Sequence, residues 1–343
     1  MIAYFPTVIG SERLKKTIAE EILSGRFPHA CILEAPAGAG KYSFARSVAA
    51  ALACTRREDR TASLPCGTCD SCRRILSGNC IDVLTFDTEG GASVKIQTIR
   101  RLKENVILSP SELSVKVYII RDADKMTAEA QNALLKMLEE PPVPGTYYFL
   151  LSENAEALLP TVRSRAPVFR LSPPSRDQVA HLMQETGRYP DRISVLRASA
   201  AAHNSAELTQ AVLDGTEEGK KLLSNYETAE RALTLLAGNG SKADFILFFT
   251  GLNLQKAEAS SIFRLIYSGL RDIITVKRSA KVAPDFFAET ENVQLISGGF
   301  TLRTALKVSE AVEDSLSSLE KNTAPKTVLL AFGVKAYNAM RSR

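Results

Sequence analysis

The chain has 343 residues, of which 45% are hydrophobic and 24% charged, values that are ordinary for a globular protein. Its 43 basic and 38 acidic side chains leave a net charge of +5, and no dense run of lysine and arginine marks a nucleic-acid-binding segment. Residues 1–9 lack the basic flank of a signal peptide, and no apolar run reaches the roughly 20 residues of a membrane span. We therefore expect a cytoplasmic chain of two or three domains with no membrane partner.

Residues 1–170 alternate short apolar segments with amphipathic ones, a pattern typical of a parallel sheet covered by helices. In the helical segment after the first apolar run, Phe44, Val48 and Leu52 recur at a spacing of four and form one buried stripe. Strands are predicted at 29–34, 115–120 and 147–151. From about 172–175 onward the sequence has helical patterns without β-rich runs. The prediction is an α/β domain followed by an all-helical part.

The first predicted strand ends in a glycine-containing turn at residues 35–41. A phosphate-binding loop of the form G-x-x-x-x-G-K-[ST] wraps backbone N–H groups around phosphates, pairs their charge with its lysine and places a hydroxyl on Mg²⁺. Gly38, Gly40 and Lys41 fit this form, but an alanine replaces the first glycine and Tyr42 replaces the hydroxyl residue. Two interpretations stay open: a weak nucleotide site on these three residues, and a turn that binds no nucleotide.

The cysteines are concentrated in one segment, because five of the six lie between positions 54 and 80. Cys54, Cys66, Cys69 and Cys72 supply the four thiolates that a closed structural zinc site requires. The tight C-x₂-C-x₂-C spacing also occurs in iron–sulfur proteins, so spacing alone does not decide. The absence of a redox partner motif favours zinc, and four clustered thiols without metal would be open to oxidation. We predict a structural zinc module at about 54–80.

The predicted strand at 115–120 is followed by Arg121 and Asp122, and then by the helical segment Asn-Ala-Leu-Leu-Lys at 132–136, which Thr127 is placed to cap. This stretch resembles the hydrolysis strand and the following helix of AAA+ clamp-loader ATPases. In the active members the strand ends in Asp-Glu: one carboxylate holds Mg²⁺ through water and the next orients the attacking water. When the two sequences are aligned without a gap, counting back from the shared Asn-Ala-Leu-Leu-Lys segment, Arg121 takes the place of the metal-binding Asp and Asp122 takes that of the Glu.

The segment Ser164-Arg165-Ala166 resembles the Ser-Arg-Cys motif of the same family, with alanine in place of cysteine. In that family the arginine projects into the ATP site of the adjacent subunit and stabilises charge on the transferring phosphoryl group. The resemblance therefore implies that Arg165 is an arginine finger that acts in trans. The alternative is an ordinary surface arginine on a basic turn that also carries Arg163 and Arg170.

The order of these motifs, from residues 8–12 to the Asn-x-x-Pro-Lys segment at 322–326, resembles the delta-prime subunits of the bacterial DNA polymerase III clamp loader. The resemblance implies an AAA+ domain at 1–170, a small helical lid at 171–215 and a helical collar for oligomerisation at 216–343. It also implies a hetero-oligomer, a pentamer, in which gamma/tau and delta subunits are the partners. The sliding clamp and primed DNA would be indirect partners.

The predicted function is that of a stator, a clamp-loader subunit that supports ATP-dependent clamp loading without hydrolysing ATP and is itself no polymerase. The first alternative is an active motor subunit of the gamma/tau type. Motor subunits share the zinc module and the Ser-Arg-Cys motif but have Gly-x-x-Arg-x-Ala in the lid, where this chain has no arginine in residues 201–206. The second alternative is a zinc-dependent nucleic-acid-binding module, which leaves the segment around Arg165 unexplained.

Overall fold

The computed structural model contains two compact units, Met1–Ser175 and Arg176–Arg343. The described residues are 3–36, 38–59, 61–87, 96–106, 109–238, 241–278 and 284–341. The first unit is α/β, and the described elements of the second are all helices. This arrangement confirms the predicted fold class of a parallel-sheet domain followed by helices. The division of the second unit into a lid and a collar stays a prediction.

A parallel sheet forms the centre of the first unit. Its described strands are β1 (Ala30–Glu34), β2 (Val83–Phe86), β3 (Lys116–Ile120), β4 (Thr146–Ser152) and β5 (Val168–Arg170). They lie in the order β2-β3-β4-β1-β5, and each neighbouring pair is parallel. In the centre of the sheet Leu150 lies opposite Ile32 on one side and Ile120 on the other. Because all strands are parallel, their carboxyl ends meet at one edge, where β1 runs into the glycine turn and β3 into Arg121.

Helices cover both faces of this sheet, as its apolar strands require. They are α1 (Glu12–Leu23), α2 (Lys41–Leu52), α3 (Asp70–Ser77), α4 (Ile96–Val106), α5 (Ala128–Glu139) and α6 (Pro160–Arg163). Side chains alternate along β1, so Leu33 joins the core under α1 and α2, which includes Phe44. Ile32 joins the core on the other face, with Leu102 of α4 and Leu134 of α5.

The second unit is built from helices alone in its described part. They are α7 (Arg176–Glu185), α8 (Arg192–Ala201), α9 (Ala206–Leu213), α10 (Glu217–Ala237), α11 (Lys242–Gly251), α12 (Lys256–Arg278), α13 (Thr290–Ser297), α14 (Leu302–Glu320) and α15 (Pro325–Arg341). Phe332 packs edge-on against Phe249 and Phe263 in its larger core, with ring centroids 5.2 and 5.0 Å away. In the whole described chain, no helix is both long enough and apolar enough to cross a membrane.

Buried polar side chains fix the segment 285–287 inside this unit. The carboxylate of Asp272 accepts the backbone N–H groups of all three residues, at 3.0, 2.6 and 3.3 Å. Arg176 donates to the carbonyl of Phe287 at 2.5 Å, and the hydroxyl of Tyr226 donates to that of Phe286 at 3.2 Å. Because a buried polar group without a partner is costly, these bonds make the segment part of the core.

The Asn-x-x-Pro-Lys segment near the carboxyl end is the turn from α14 to α15. Asn322 has a left-handed backbone (φ 62°), which asparagine tolerates better than most residues, and its side-chain oxygen accepts a hydrogen bond from Lys256 at 2.7 Å. Pro325 is the first residue of α15, a position at which its missing N–H costs nothing. Turn geometry thus accounts for both residue types.

Candidate functional site

The glycine turn between β1 and α2 has the backbone of a phosphate-binding loop, but its lysine is engaged within the loop. Gly38 (φ 75°) and Gly40 (φ 77°) adopt the left-handed conformation that favours glycine. The ammonium group of Lys41 donates to the carbonyls of Ala35 at 2.5 Å and Pro36 at 2.9 Å. Burial lowers the pKa of Lys41, and nearby carboxylates partly oppose this shift. The lysine charge is therefore satisfied by backbone dipoles in place of phosphate.

Tyr42, in the first turn of α2, contacts two guanidinium groups. The Cζ atoms of Arg121 and Arg46 are 5.2 and 5.7 Å from the centroid of its ring, distances that define cation–π contacts. Its hydroxyl shares a hydrogen bond of 3.2 Å with that of Thr85 on β2. The structure thus brings together the two residues that the sequence placed at the metal position, Tyr42 and Arg121, and adds Arg46, which the sequence did not single out.

Asp122, which aligns with the water-orienting glutamate of active family members, is used in its own turn. Its backbone is left-handed (φ 50°, ψ 44°), and its Oδ1 atom pairs with the ammonium group of Lys125 at 2.9 Å. Asp124 accepts the backbone N–H of Glu153 at 3.3 Å. The acidic side chains at the end of β3 are therefore engaged within the chain, Asp122 in its own turn and Asp124 with the residue that follows β4.

Four cysteines converge beside the end of α2. The Sγ atoms of Cys54, Cys66, Cys69 and Cys72 all lie within 4.8 Å of one another, and those of Cys66 and Cys72 are 3.9 Å apart. A tetrahedral zinc ion with Zn–S bonds of 2.3 Å holds its thiolates about 3.8 Å apart, so the arrangement fits such an ion. Among the described residues, Cys80 is buried but outside this group.

Hydrogen-bond donors around the cysteines favour the thiolate form that a metal requires. Burial opposes ionisation of Cys66, but the backbone N–H of Cys69, 3.3 Å from its sulfur, and the hydroxyl of Thr68, at 3.6 Å, help to lower the pKa of Cys66 to about 6. Burial raises the pKa of Cys72. A bound cation would offset the cost of ionising this buried thiol. The donor set therefore fits zinc in chemistry as well as in distance.

Arg46 connects the cysteine cluster to the site around Tyr42. Its Nε and Nη2 atoms donate to the carbonyl of Ile75 at 3.2 and 2.5 Å, and Nη2 also donates to Leu76 at 2.5 Å. Both carbonyls belong to the last turn of α3, whose end carries partial negative charge. Arg46 thus fastens α3 to α2 while its guanidinium stacks on Tyr42.

The turn that carries Arg165 has a rigid base. Val162 and Ala166 are fully buried, and the backbone N–H of Arg165 donates to the carbonyl of Val162 at 3.1 Å. Gln131 of α5 accepts the N–H of Leu159, just before α6, at 2.7 Å. Gln131 was not predicted from the sequence, although a polar residue three positions before the buried Leu134, and so on the same helix face, was a signal.

The side chain of Arg165 is bonded within its own chain. Its Nε and Nη2 atoms donate to Oε1 of Glu139, the last residue of α5, at 2.8 and 2.5 Å. Its Nη1 atom donates to the carbonyl of Thr161 at 3.0 Å and to the hydroxyl of Ser164 at 3.2 Å. The neighbouring arginines of the basic turn have carboxylates of their own, Glu156 for Arg163 and Glu34 for Arg170. Glu139 was not predicted from the sequence to be a partner of Arg165.

The order of the strands and the glycine turn after β1 define the AAA+ class of fold. A DNA polymerase III gamma subunit-related protein of Thermotoga maritima has this fold: its structure superposes with a TM-score of 0.51 at 19% identity, over 96% of this chain and 100% of that one. Residues 10–175 match the model of the family described as DNA polymerase III, delta subunit. The first unit is thus similar to the family described as DNA polymerase III, delta subunit.

Similar curated proteins are named as other subunits of DNA polymerase III, gamma and tau. The DNA polymerase III subunit gamma/tau of Mycobacterium tuberculosis is 33% identical over 358 aligned positions, which cover 95% of this chain and 60% of the relative. The subunit gamma of Buchnera aphidicola is 29% identical over 71% of this chain and 66% of its own length. The tau subunit of Escherichia coli is 33% identical, with 27% of its length covered. The chain thus spans about a quarter to two thirds of these relatives.

Proposed function

We propose that this chain is a non-hydrolysing, delta-prime-type subunit of a DNA polymerase III clamp loader. In this role it assembles with gamma/tau and delta subunits into a hetero-pentamer that loads the sliding clamp onto primed DNA. Arg165 then supplies positive charge to the ATP site of a neighbouring subunit. The relationship to clamp-loader subunits supports the assembly, and the residues of this chain support the absence of hydrolysis.

The contact of Tyr42 with two arginines carries the proposal. Mg²⁺ binds through oxygen ligands and retained waters, and hydrolysis of ATP depends on it to neutralise charge between the phosphates. Here the hydroxyl position holds a phenol and the carboxylate position holds Arg121, which repels a divalent cation. Lys41 is bonded to loop carbonyls at 2.5 and 2.9 Å. These contacts satisfy the side chains of the site without nucleotide or metal.

The second candidate function is that of an active motor subunit. The names of the matched relatives favour it, since they are gamma and gamma/tau subunits. Gly38, Gly40 and Lys41 also favour it, because they retain the backbone and the charge that hold phosphates. In this case Lys41 leaves the loop carbonyls when nucleotide binds.

ATP turnover of the purified chain, and of the assembled loader, separates the two candidates. We expect no turnover by the chain above background, and a loader with Lys41→Ala that loads clamps at nearly the wild-type rate. The matched control is the same lysine substitution in a motor subunit, which should stop that subunit's hydrolysis. Steady turnover by this chain that Lys41→Ala abolishes would establish the motor instead.

We also propose that Cys54, Cys66, Cys69 and Cys72 hold one zinc ion. Four sulfur ligands fill a tetrahedral ion and leave no position for water or substrate, so the role is structural. The ion would join the end of α2 to α3, in addition to their apolar contacts and the hydrogen bonds of Arg46. Because the ligands come from an excursion between α2 and β2, the metal would stabilise this module more than the sheet.

A further inference from the structure

Arg165 has a counter-ion before any neighbour is present. A guanidinium group has five N–H donors. Here one from Nε and one from Nη2 go to Glu139, and two from Nη1 go to Thr161 and Ser164, so four are used within the chain. The charge that a neighbouring nucleotide would need is therefore already paired with a carboxylate.

From this contact we infer that Glu139 is a positioning residue that holds Arg165 in a resting position, from which the phosphates of a neighbouring subunit's nucleotide withdraw it. The inference rests on the proposed function, since it assigns Arg165 to a neighbour's site. The carboxylate and the phosphates compete for one guanidinium group. Glu139 thereby raises the nucleotide concentration at which the arginine engages.

The structure allows this exchange with movement of the side chain alone. The backbone at Arg165 is fixed by Val162 and by the buried Ala166. By contrast, the side chains of Arg165 and Glu139 are 33% and 51% exposed. Exposed ion pairs are weak, whereas hydrogen bonds from arginine to phosphate are charge-assisted and frequently bidentate. A bound nucleotide can therefore outcompete Glu139 without unfolding α5 or α6.

The position of Glu139 at the end of α5 strengthens its hold. The last turn of a helix carries partial negative charge, which adds to the attraction of the carboxylate for the guanidinium group. The next residue, Glu140, is an exposed carboxylate too, but the described bonds of Arg165 go to Glu139. Glu140 is therefore the matched control, with the same charge one position further along the chain.

ATP hydrolysis by the assembled loader, measured against ATP concentration at low and high salt, tests the inference. We expect Glu139→Gln to lower the half-saturating ATP concentration up to about fivefold, with kcat nearly unchanged. The difference from wild type should shrink at high salt, because salt screens an exposed ion pair. Glu139→Asp, which keeps the charge, should lie closer to wild type, and Glu140→Gln should equal it.

Arg165→Ala, measured in parallel, separates this inference from the proposed function. One outcome is that Arg165→Ala lowers hydrolysis while Glu139→Gln and Glu140→Gln have the same half-saturating ATP concentration at both salt concentrations. In that case Glu139 does not restrain the arginine, and the role of Arg165 as an arginine finger is unaffected. If Glu139→Gln lowers kcat as much as Arg165→Ala does, Glu139 supports the finger, and the inference is overturned. If Arg165→Ala has no effect in an intact complex, the finger itself is wrong, and the inference falls with it.

Discussion

Tyr42 makes contacts that a serine or threonine at its position would lose. Its ring lies against Arg46 one turn later on α2 and against Arg121 after β3, and its hydroxyl reaches Thr85 on β2. Each cation–π contact at such an exposed site contributes about 0.5–1 kcal/mol. Tyr42, which takes the place of the hydroxyl ligand, therefore also joins α2 to β2 and to the residue after β3.

Tyr42→Thr restores the residue type of a phosphate-binding loop, yet it should neither create hydrolysis nor be neutral for stability. We expect the free energy of unfolding to fall by about 1–2 kcal/mol, because two cation–π contacts and a hydrogen bond are lost. Urea-induced unfolding followed by circular dichroism measures the change. Ser43→Ala, an exposed neighbour on the same helix, should differ little from wild type. Equal unfolding of the two variants would show that the stack adds no stability.

Asp272 makes the stability of the second unit depend on pH. Burial raises the pKa of Asp272, although three backbone N–H groups oppose the shift. A carboxyl group with a raised pKa binds its proton more tightly in the folded state, so its contribution to stability is fully present below about pH 4. That contribution is lost as pH rises through the folded pKa.

Urea unfolding across this pH range tests the prediction. Asp272→Asn should be less stable overall, because its amide NH₂ faces a backbone donor. It should also lack this part of the pH dependence. The control is Asp314→Asn, which changes an exposed carboxylate on α14. In this variant the free energy of unfolding should depend on pH as in the wild type, because Asp272 is retained. A wild-type slope in Asp272→Asn would assign the pH dependence to other groups.

The sequence revealed the residue types of the site but not all of their contacts. Tyr42 and Arg121 are almost eighty positions apart, and only the parallel strands place them side by side. Arg46 was within reach of pattern analysis, because residues at i and i+4 face each other on a helix. Glu139 could not be singled out, since its neighbour Glu140 has the same chemistry and only the end of α5 decides which carboxylate meets Arg165.

At the scale of elements, the cysteine module is the part of the fold that depends on something other than apolar burial. In α3 only Cys72 and Ile75 are buried. Such a short helix, with Leu76 as a further partly buried contact, is marginal by itself. Its amino end is held by the cysteine cluster and its carboxyl end by Arg46. The sequence predicted a zinc module at about 54–80 from its cysteines but did not predict α3, because the ligand spacing replaces apolar periodicity there.

We predict one zinc ion per chain and a local effect of its loss. Cys69→Ser should reduce zinc content and expose α3 to proteolysis, while the sheet keeps its circular dichroism signal, because apolar side chains of α1, α2, α4 and α5 cover the sheet. Elemental analysis and limited proteolysis measure both effects. Cys80→Ala changes a buried cysteine outside the cluster and should keep full zinc content. A chain purified without zinc, or one with the absorption band of an iron–sulfur cluster, would contradict the assignment.

At the scale of the whole molecule, each of the two units has a buried core of its own, and Arg165 and Glu139 are partly exposed side chains of the first unit. The parallel sheet with its helix cover and the all-helical described part of the second unit follow from apolar patterning and were predicted from the sequence, whereas the order of the strands was not. The resting partner of Arg165 was not predicted either, because exposed ion pairs leave no periodic signal. In the proposed assembly, Arg165 is the side chain that acts on the nucleotide of a neighbouring subunit.

Arg165→Ala should leave folding, zinc content and assembly intact, because the residues beneath it remain buried. We expect hydrolysis and clamp loading by the complete loader to fall only in part, since one nucleotide site loses a cation and the others keep theirs. Arg165→Lys should restore little, because an ammonium group lacks the planar fork of arginine. Arg163→Ala, beside it on the same turn, is the control and should load clamps at the wild-type rate.

The stack of Arg46, Tyr42 and Arg121 also limits how such a chain can change over generations. Because Tyr42 and Arg121 stabilise each other, a mutation of either one toward the residue of a hydrolytic site loses their contact before it gains a metal ligand. A single substitution toward a hydrolytic site therefore costs stability, and the second metal contact still needs another substitution. In the proposed non-hydrolysing subunit, the contacts that join α2 to the sheet would thus also oppose a return to catalysis.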